Sequence, residues 1–161
     1  MRCVEYVFGI LLERASFRVL ERLVGRGFEA MMTDPIADML TRIRNASQAG
    51  HRRLNVPCAK TKVEVARVLK EQGFIRGYKV VPDKMQGMLR IYLKYGKNSM
   101  PVIKGIQRVS KPGQRVYRGF DEMPKVLDGF GVSIVSSSKG VMTNKDCARN
   151  RCGGEIICNV W

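Results

Sequence analysis

Helical and strand-like patterns of apolar residues alternate over residues 32–98, and this order constrains the fold more than any other feature of the chain. Asp34 and Pro35 predict the start of a first helix, because Asp accepts hydrogen bonds from free N–H groups and Pro suits the first helical position. A second helix is predicted to start at Thr61, with Glu64 completing a capping box. An extended segment separates the two helices, and two strand-like segments follow them. The order helix, strand, helix, strand, strand predicts a compact α+β unit.

The strand-like segments of this unit are rich in β-branched and aromatic side chains. They are residues 54–59, 74–81 and 88–95. Gly73 is expected to end the second helix. The polar residues 82–87 join the last two segments, which predicts an antiparallel hairpin.

A second unit, residues 99–161, is mostly strand-like. Strands are expected at 102–110, 115–118, 132–135 and 155–160. Asp121 is expected to cap a short helix over residues 121–127, and residues 144–150 fit one or two further helical turns. The fold is therefore predicted to be α+β with two small α/β domains. The N-terminal helix-strand-helix-strand-strand unit covers 32–98, and the mostly-β C-terminal unit with its short helix covers 99–161.

Residues 1–31 differ from the rest of the chain. The first thirty hold five Arg and four Glu, whereas the whole chain has 29 Lys and Arg against 14 Asp and Glu. The segment lacks the pattern of a signal peptide, and its charges argue against a bilayer span. Two interpretations stay open: a leader that forms a helix, or a true start at Met31 or Met32 with the preceding residues a gene-calling artefact.

The strong positive charge of the chain predicts a polyanionic partner. The formal net charge is +15, the isoelectric point is about 10.1, and basic residues recur from Arg42 to Arg151. Nucleic acid is the first expectation. An anionic membrane surface is a weaker one, because the basic residues are spread over strands and loops instead of one helix face. A basic protein without such a partner is the remaining alternative.

A serine-rich loop is the strongest functional signal. Ser136, Ser137, Ser138, Lys139 and Gly140 directly follow a predicted strand. They present three hydroxyl groups and an ammonium group on a glycine turn. Such a loop can lie against a sugar-phosphate backbone and reach base edges, so the segment predicts an RNA contact.

Two further residues extend this candidate site. Glu155 follows Gly153 and Gly154, and a carboxylate in a basic surface disfavours phosphate binding. We therefore expect it to accept a hydrogen bond from a base amino group. A solvated charge at a strand end is the alternative. Tyr117 lies on a predicted strand and either stacks on a base or sugar or belongs to the core.

Catalysis and metal binding find little support in the sequence. The serine-rich loop matches the S-x-x-K pattern of serine hydrolases, but the companion motifs are absent and His51 is the only histidine. A Ser-Lys hydrolase is kept as the rival from the enzyme class. Cys147, Cys152 and Cys158 are separated by four and five residues, unlike the two-residue gap of zinc knuckles. Reduced thiols, no metal and no cofactor are expected, and Cys147 and Cys152 have no assigned role.

Three motifs resemble one protein family. Residues 33–45 and 132–143 resemble the N-terminal and C-terminal signatures of the eighth small-subunit ribosomal protein of bacteria, and residues 153–158 complete the pattern. The resemblance covers residues 32–161. It implies a two-domain, non-enzymatic constituent of the cytoplasmic small ribosomal subunit. It also implies direct, primary binding to the central domain of 16S rRNA, a role early in 30S assembly, and contact with neighbouring small-subunit proteins.

The resemblance also implies which residues contact RNA. They are Ser136, Ser137, Ser138, Lys139, Gly140, Gly153, Glu155 and Tyr117 in the C-terminal unit, and Asp34, Arg44 and Lys60 in the N-terminal unit. Ser137 departs from the family pattern, which commonly has threonine there, so its methyl packing is lost. A second role stays open, in which the same surface represses translation by binding the protein's own messenger RNA.

Overall fold

The computed structural model describes residues 34–83 and 86–161. The two interpretations of residues 1–31 and the middle of the 82–87 connection lie outside this part of the chain. The described residues belong to one compact unit. The division into domains at residues 98 and 99 stays a prediction.

The first five elements confirm the predicted order of helices and strands. They are α1 (Pro35–Gln48), β1 (Arg53–Pro57), α2 (Lys60–Glu71), β2 (Ile75–Val81) and β3 (Met88–Leu93). The three strands form one antiparallel sheet in the order β1-β3-β2.

The remaining strands form a second antiparallel sheet. They are β4 (Ile106–Arg108), β5 (Tyr117–Arg118), β6 (Val132–Ser137), β7 (Gly140–Thr143) and β8 (Gly154–Val160), and the short helix α3 (Asn144–Arg149) precedes the last of them. The order is β4-β8-β6-β7, and β5 also pairs with β8. Three helices and two antiparallel sheets in the described part of the chain confirm the predicted α+β class.

The two long helices begin differently. Asp34 caps α1 as predicted, because its side chain accepts hydrogen bonds from the backbone N–H groups of Ile36 and Ala37. The capping box predicted at the start of α2 is wrong. Ala59 is the N-cap residue and makes no side-chain bond, so Thr61 already lies inside the first turn.

One other local prediction is wrong, and three predicted strands differ from the structure in length. The helix expected over 121–127 is replaced by a 3-10 turn at Val126–Gly129. Pro124 lies inside the expected helix, where it has no N–H group to donate and disfavours helical backbone at the residue before it. The strands expected over 102–110 and 115–118 shorten to β4 and β5. In contrast, β6 is longer than predicted and includes the first two serines of the serine-rich loop.

One apolar core joins the helices to both sheets. Its fully buried side chains come from both long helices and from strands of both sheets, and include Met39, Ile43, Leu69, Ile91 and Val160. A smaller cluster formed by Val135, Cys147 and Ile156 lies behind the start of the serine-rich segment. Burial of this apolar surface holds the second sheet, and with it the candidate site, in a fixed position relative to the helices.

Candidate nucleic-acid interface

The serine-rich segment is a tight β-hairpin between β6 and β7. Ser136 pairs with Val141 and Ser137 pairs with Gly140, so Ser138 and Lys139 alone form the turn. Both turn residues are exposed. The hairpin therefore presents one hydroxyl group and one ammonium group at its tip.

Ser137 and Gly140 hold the shape of this turn. The Ser137 hydroxyl group donates to the Gly140 carbonyl oxygen at 3.1 Å and accepts from the Lys139 backbone N–H at 3.2 Å. Gly140 has φ 106°, a conformation that side-chain-bearing residues rarely adopt. In the described part of the chain, the hydroxyl groups of Ser136 and Ser138 have no hydrogen-bond partner. Ser137 thus shapes the hairpin, whereas Ser136 and Ser138 keep hydrogen-bonding capacity for another molecule.

Pairing across the second sheet brings the other predicted residues next to the hairpin. Glu155 on β8 is the register partner of both Ser136 on β6 and Tyr117 on β5. Residues directly opposite each other on neighbouring strands point to the same face of a sheet. Tyr117, Glu155 and Ser136 therefore form one row of side chains that leads towards the hairpin turn, and we call these three residues the row.

The two glycines that precede Glu155 allow the strands to approach closely. A Cβ atom on Gly154 would lie 2.3 Å from the Ser136 carbonyl oxygen, and one on Gly153 would lie 2.7 Å from the Arg118 carbonyl oxygen. Both distances are below van der Waals contact. The glycines thus act through the close packing of β8 against its neighbours, which sets the position of the row.

Glu155 is a fixed carboxylate rather than a freely solvated one. Its Oε1 atom accepts hydrogen bonds from the Ser110 hydroxyl group and from Arg115 Nη1, the latter at 2.7 Å. Burial raises the pKa of Glu155, but the bonds from Ser110 and Arg115 outweigh this effect, so the pKa is lowered. The side chain is therefore charged at neutral pH. Both of these bonds use Oε1, which leaves Oε2 as an acceptor.

Tyr117 is exposed over 66% of its surface, so the alternative that it belongs to the core is wrong. It lies on β5, the two-residue strand paired with β8. An exposed aromatic ring beside hydroxyl groups and a carboxylate is suited to stacking on a base.

The predicted N-terminal residues lie outside the row. Asp34 uses both carboxylate oxygens inside the protein, because Oδ2 also pairs with Arg108 Nε at 3.1 Å. Arg44 donates one guanidinium N–H to the Ile106 carbonyl oxygen and thereby ties α1 to β4. Lys60 is the exposed first residue of α2.

Arg67 positions the hairpin and was missed by the sequence reasoning. Its Nη2 atom donates to the Val141 carbonyl oxygen on β7 at 2.7 Å. Glu64 and Glu71 flank it on α2 and form ion pairs with it. Their hydrogen bonds raise the pKa of Arg67 further, so the link between α2 and the hairpin is permanently charged. The i,i+3 and i,i+4 spacing of these glutamates was the available signal.

A basic cleft at the first sheet was also missed. Its cavity of about 960 Å³ is lined by five cations and two tyrosines, namely Arg52, Arg53, Lys70, Arg76, Lys94, Tyr92 and Tyr95. No carboxylate lines it, and none of the ion pairs among the described residues involves these cations. Like charges collected in one cleft favour a polyanion. They are scattered in the sequence, and only the pairing of β1 and β2 with β3 and the packing of α2 against β2 bring them together.

Cys147 and Cys152 form the end of α3. Arg151, at φ 48°, donates its N–H to Ala148, and Cys152 donates its N–H to the Cys147 carbonyl oxygen at 3.0 Å. This pattern is a Schellman motif, in which the two cysteines occupy the positions that usually make an apolar contact. Burial, and to a smaller extent the nearby Cys152 thiol, raises the pKa of Cys147 to about 12. Its thiol is therefore protonated at neutral pH and serves packing.

The described part of the chain offers neither a metal site nor a membrane-spanning helix. Over residues 34–83 and 86–161, no group of three or more His, Cys, Asp or Glu side chains is arranged to hold a metal ion. Within the same ranges, no helix combines the length and the apolar character needed to cross a bilayer.

A basic α+β fold with hydroxyl groups, a fixed carboxylate and an exposed aromatic ring on one sheet face is typical of a structural RNA-binding protein. The sequence model of a protein family, described as Ribosomal protein S8, matches residues 34–161 of this chain. The chain therefore belongs to the ribosomal protein S8 family. This membership confirms the prediction that the protein is a structural, non-enzymatic constituent of the small ribosomal subunit.

Known relatives agree with this assignment over most of the chain. The Small ribosomal subunit protein uS8 of Desulforudis audaxviator (strain MP104C) is 56% identical over 131 residues, which are 81% of this chain and 100% of the relative. The protein of the same name from Bacillus cereus (strain B4264) is also 56% identical over 131 residues, 81% of this chain and 99% of the relative.

Proposed function

We propose that this protein is a primary binder of 16S rRNA that attaches to the central domain and supports assembly of the 30S subunit. The row of Tyr117, Glu155 and Ser136 beside the hairpin carries this proposal. An exposed ring, an oriented acceptor and free hydroxyl groups on one face match what irregular RNA offers: unstacked bases, amino groups and 2′-hydroxyl groups.

The residues of this surface have different roles. Ser136 and Ser138 donate to or accept from the sugar-phosphate backbone and base edges, and Glu155 Oε2 accepts from a base amino group. Lys139 contacts a phosphate. Tyr117 stacks on a base or sugar. The free acceptor of Glu155 and the free hydroxyl groups support these assignments.

A second group of residues shapes the surface without touching bases. Ser137 and Gly140 set the turn. Gly153 lets β8 approach β5 and leaves its own backbone exposed to RNA. Asp34 acts through the fold, because both of its oxygens are engaged. Arg44 on α1 and Lys60 at the start of α2 face phosphates with the N–H donors that remain free.

The basic cleft supplies salt-sensitive affinity in this proposal. Its cations lie on α2 and on or next to the strands of the first sheet, whereas the row lies on the second sheet. A phosphate contact there would release counterions and strengthen binding without adding sequence information. Affinity and selectivity are thus carried by different parts of the protein.

A role as translational repressor would use the same surface, with an imitation of the ribosomal site in the protein's own messenger RNA. Its test is competition between the upstream transcript and the rRNA helix for one site. Binding of both RNAs at the same time would contradict it.

The test of the main proposal is a binding titration of the full chain against the central-domain rRNA helix and a scrambled duplex, repeated at several salt concentrations. We expect tight, selective binding that persists at physiological salt. Weak and equal binding to both RNAs that vanishes with salt would contradict the proposal, because it would reduce the interaction to generic charge.

A further inference from the structure

An exposed apolar turn on the C-terminal unit is not explained by RNA binding. Phe130 is 90% exposed and Leu127 is 56% exposed, and both belong to or follow the 3-10 turn Val126–Gly129. A phenylalanine ring left almost wholly in water gains nothing from folding. Exposed apolar side chains that lie together often mark an interaction site.

The backbone of this turn is held in an uncommon conformation. Leu127 and Asp128 have φ 45° and 53°, and Gly129 follows at 100°. Two hydrogen bonds close the turn, from the Phe130 N–H to Leu127 and from the Gly131 N–H to Val126, both at 3.0 Å. Non-glycine residues in this region cost free energy and persist where the surroundings impose them, often at functional sites.

The turn is also anchored from below. Val126 is buried, and a Cβ atom on Gly131 would lie 2.4 Å from its Cγ1 atom. The turn is therefore clamped between the core and the start of β6. It presents Leu127 and Phe130 outward on a pre-formed support, which lowers the entropy cost of binding.

The local charge argues against RNA as the partner of this turn. Residues 119–130 hold three carboxylates, Asp121, Glu122 and Asp128, against the single Lys125, in a chain of net charge +15. Arg118 neutralises Glu122 in part, at 3.6 Å. Counting Arg118 and Lys125, the segment keeps an excess of one carboxylate, and an apolar turn that carries the Asp128 carboxylate complements a basic protein surface better than it does phosphate.

We propose that the turn formed by Leu127, Asp128, Gly129 and Phe130 docks a neighbouring basic protein of the small subunit. The Phe130 ring fills an apolar pocket of that protein, and Asp128 faces a lysine or arginine at the rim of the pocket. This inference adds a protein-docking surface to the RNA-binding one. It rests on membership of the family and not on the proposed RNA contacts.

Photo-crosslinking within the assembled particle tests this proposal. Phe130 is replaced by p-benzoylphenylalanine in the full chain, and small subunits are reconstituted with 16S rRNA and the other small-subunit proteins. Met100, which is 68% exposed between Lys97 and Lys104, receives the same group as a control for exposure alone. We expect irradiation to link residue 130 to one basic protein, and residue 100 not to link to that protein.

Several outcomes would overturn the proposal. They are a crosslink from residue 130 to rRNA, to a second copy of this chain or to its own residues 1–31, and the absence of any crosslink. A crosslink to RNA would show instead that the turn extends the RNA-binding surface.

Two variants separate docking from folding and from RNA binding. Phe130→Ser removes the ring, and Asp128→Asn removes the charge while keeping a residue type that tolerates positive φ. We expect both to bind the rRNA helix within about twofold of the unaltered protein. Retention of the crosslinked neighbour should fall by about thirtyfold for Phe130→Ser, as for a central anchor residue, and less for Asp128→Asn. Unchanged retention in both variants would contradict the docking role.

Discussion

Replacing Asp34 tests how α1 is fixed to the second sheet. Its Oδ1 atom accepts from the backbone N–H groups of Ile36 and Ala37 at 3.0 and 3.1 Å, and its Oδ2 atom lies 3.1 Å from Arg108 Nε. The side chains of Asp34 and Arg108 are only 14% and 10% exposed. Asp34→Asn keeps a capping acceptor and removes the charge, whereas Asp34→Ala removes both.

The magnitude follows from these two roles. Loss of an N-cap costs about 1 kcal/mol, and removing one partner of a buried ion pair costs about 3–5 kcal/mol. Because both side chains keep a little exposure, water screens part of the second effect. We therefore expect a loss of about 2–3 kcal/mol in the free energy of unfolding for Asp34→Asn and about 3–4 kcal/mol for Asp34→Ala. Either is a large share of the roughly 5–15 kcal/mol typical of a domain.

Urea unfolding at pH 7, followed by far-UV circular dichroism, measures these losses. The matched control is Glu122→Gln, because Glu122 pairs with Arg118 at 3.6 Å and their side chains are 70% and 53% exposed. Such a surface pair contributes about 0.5 kcal/mol. A loss for Asp34→Asn no larger than that for Glu122→Gln would refute the reasoning.

The pH dependence of the same variant gives an independent check. Burial raises the pKa of Asp34, but hydrogen bonds from Ala37 and Arg108 outweigh this effect and lower it. A carboxyl group whose pKa is lower in the folded protein adds stability above its unfolded pKa, and loses it as the pH falls through the folded value. The unaltered protein should therefore lose more stability than Asp34→Asn as the pH falls below about 4. Parallel pH profiles would contradict this.

Three further predictions concern close packing, thiol burial and the basic cleft. Gly154→Ala should lower the free energy of unfolding in urea by about 2 kcal/mol or more, because its Cβ atom would meet backbone. Gly113→Ala, where that atom meets nothing within 4 Å, should change it by less than about 0.5 kcal/mol. Equal effects would contradict the packing argument. Iodoacetamide at pH 8 should label Cys152 well before Cys147, as peptide mass spectrometry can measure, and equal labelling rates would contradict the burial of Cys147. Arg76→Gln should weaken binding to cognate and scrambled RNA alike and reduce the slope of log affinity against log salt by about 0.7–0.9, whereas an unchanged slope would exclude a phosphate contact in the cleft.

Local signals predicted much of the fold. Asp34 before Pro35 marked the start of α1 because a cap depends on neighbours within three residues, and Gly73 marked the end of α2 for the same reason. The capping box failed because the extended Ala59 already provides the N-cap position, which leaves Glu64 to pair with Arg67. The signals were right about the existence of most elements, wrong about the helix expected over 121–127, and less reliable about where elements end.

The candidate site could be predicted only in part, because long-range pairing builds it. Sequence reasoning named Tyr117, Glu155 and Ser136 separately, but nothing local indicates that β5, β8 and β6 align them in one register. The link from Arg67 to Val141 spans 74 positions, and the Asp34–Arg108 pair also spans 74. Such contacts depend on how the sheets pack against the helices, which a pattern of neighbours does not contain.

The most direct test of the central claim is the selectivity of Glu155→Gln. The affinity ratio between the central-domain rRNA helix and a scrambled duplex is measured for this variant and for Glu122→Gln, whose carboxyl side chain is 70% exposed and lies outside the row. We expect Glu155→Gln to lower the ratio by about tenfold or more, since a lost base contact costs about 1–3 kcal/mol, and Glu122→Gln to leave it unchanged. An equal ratio in both variants and the unaltered protein would contradict the claim that the row reads the RNA.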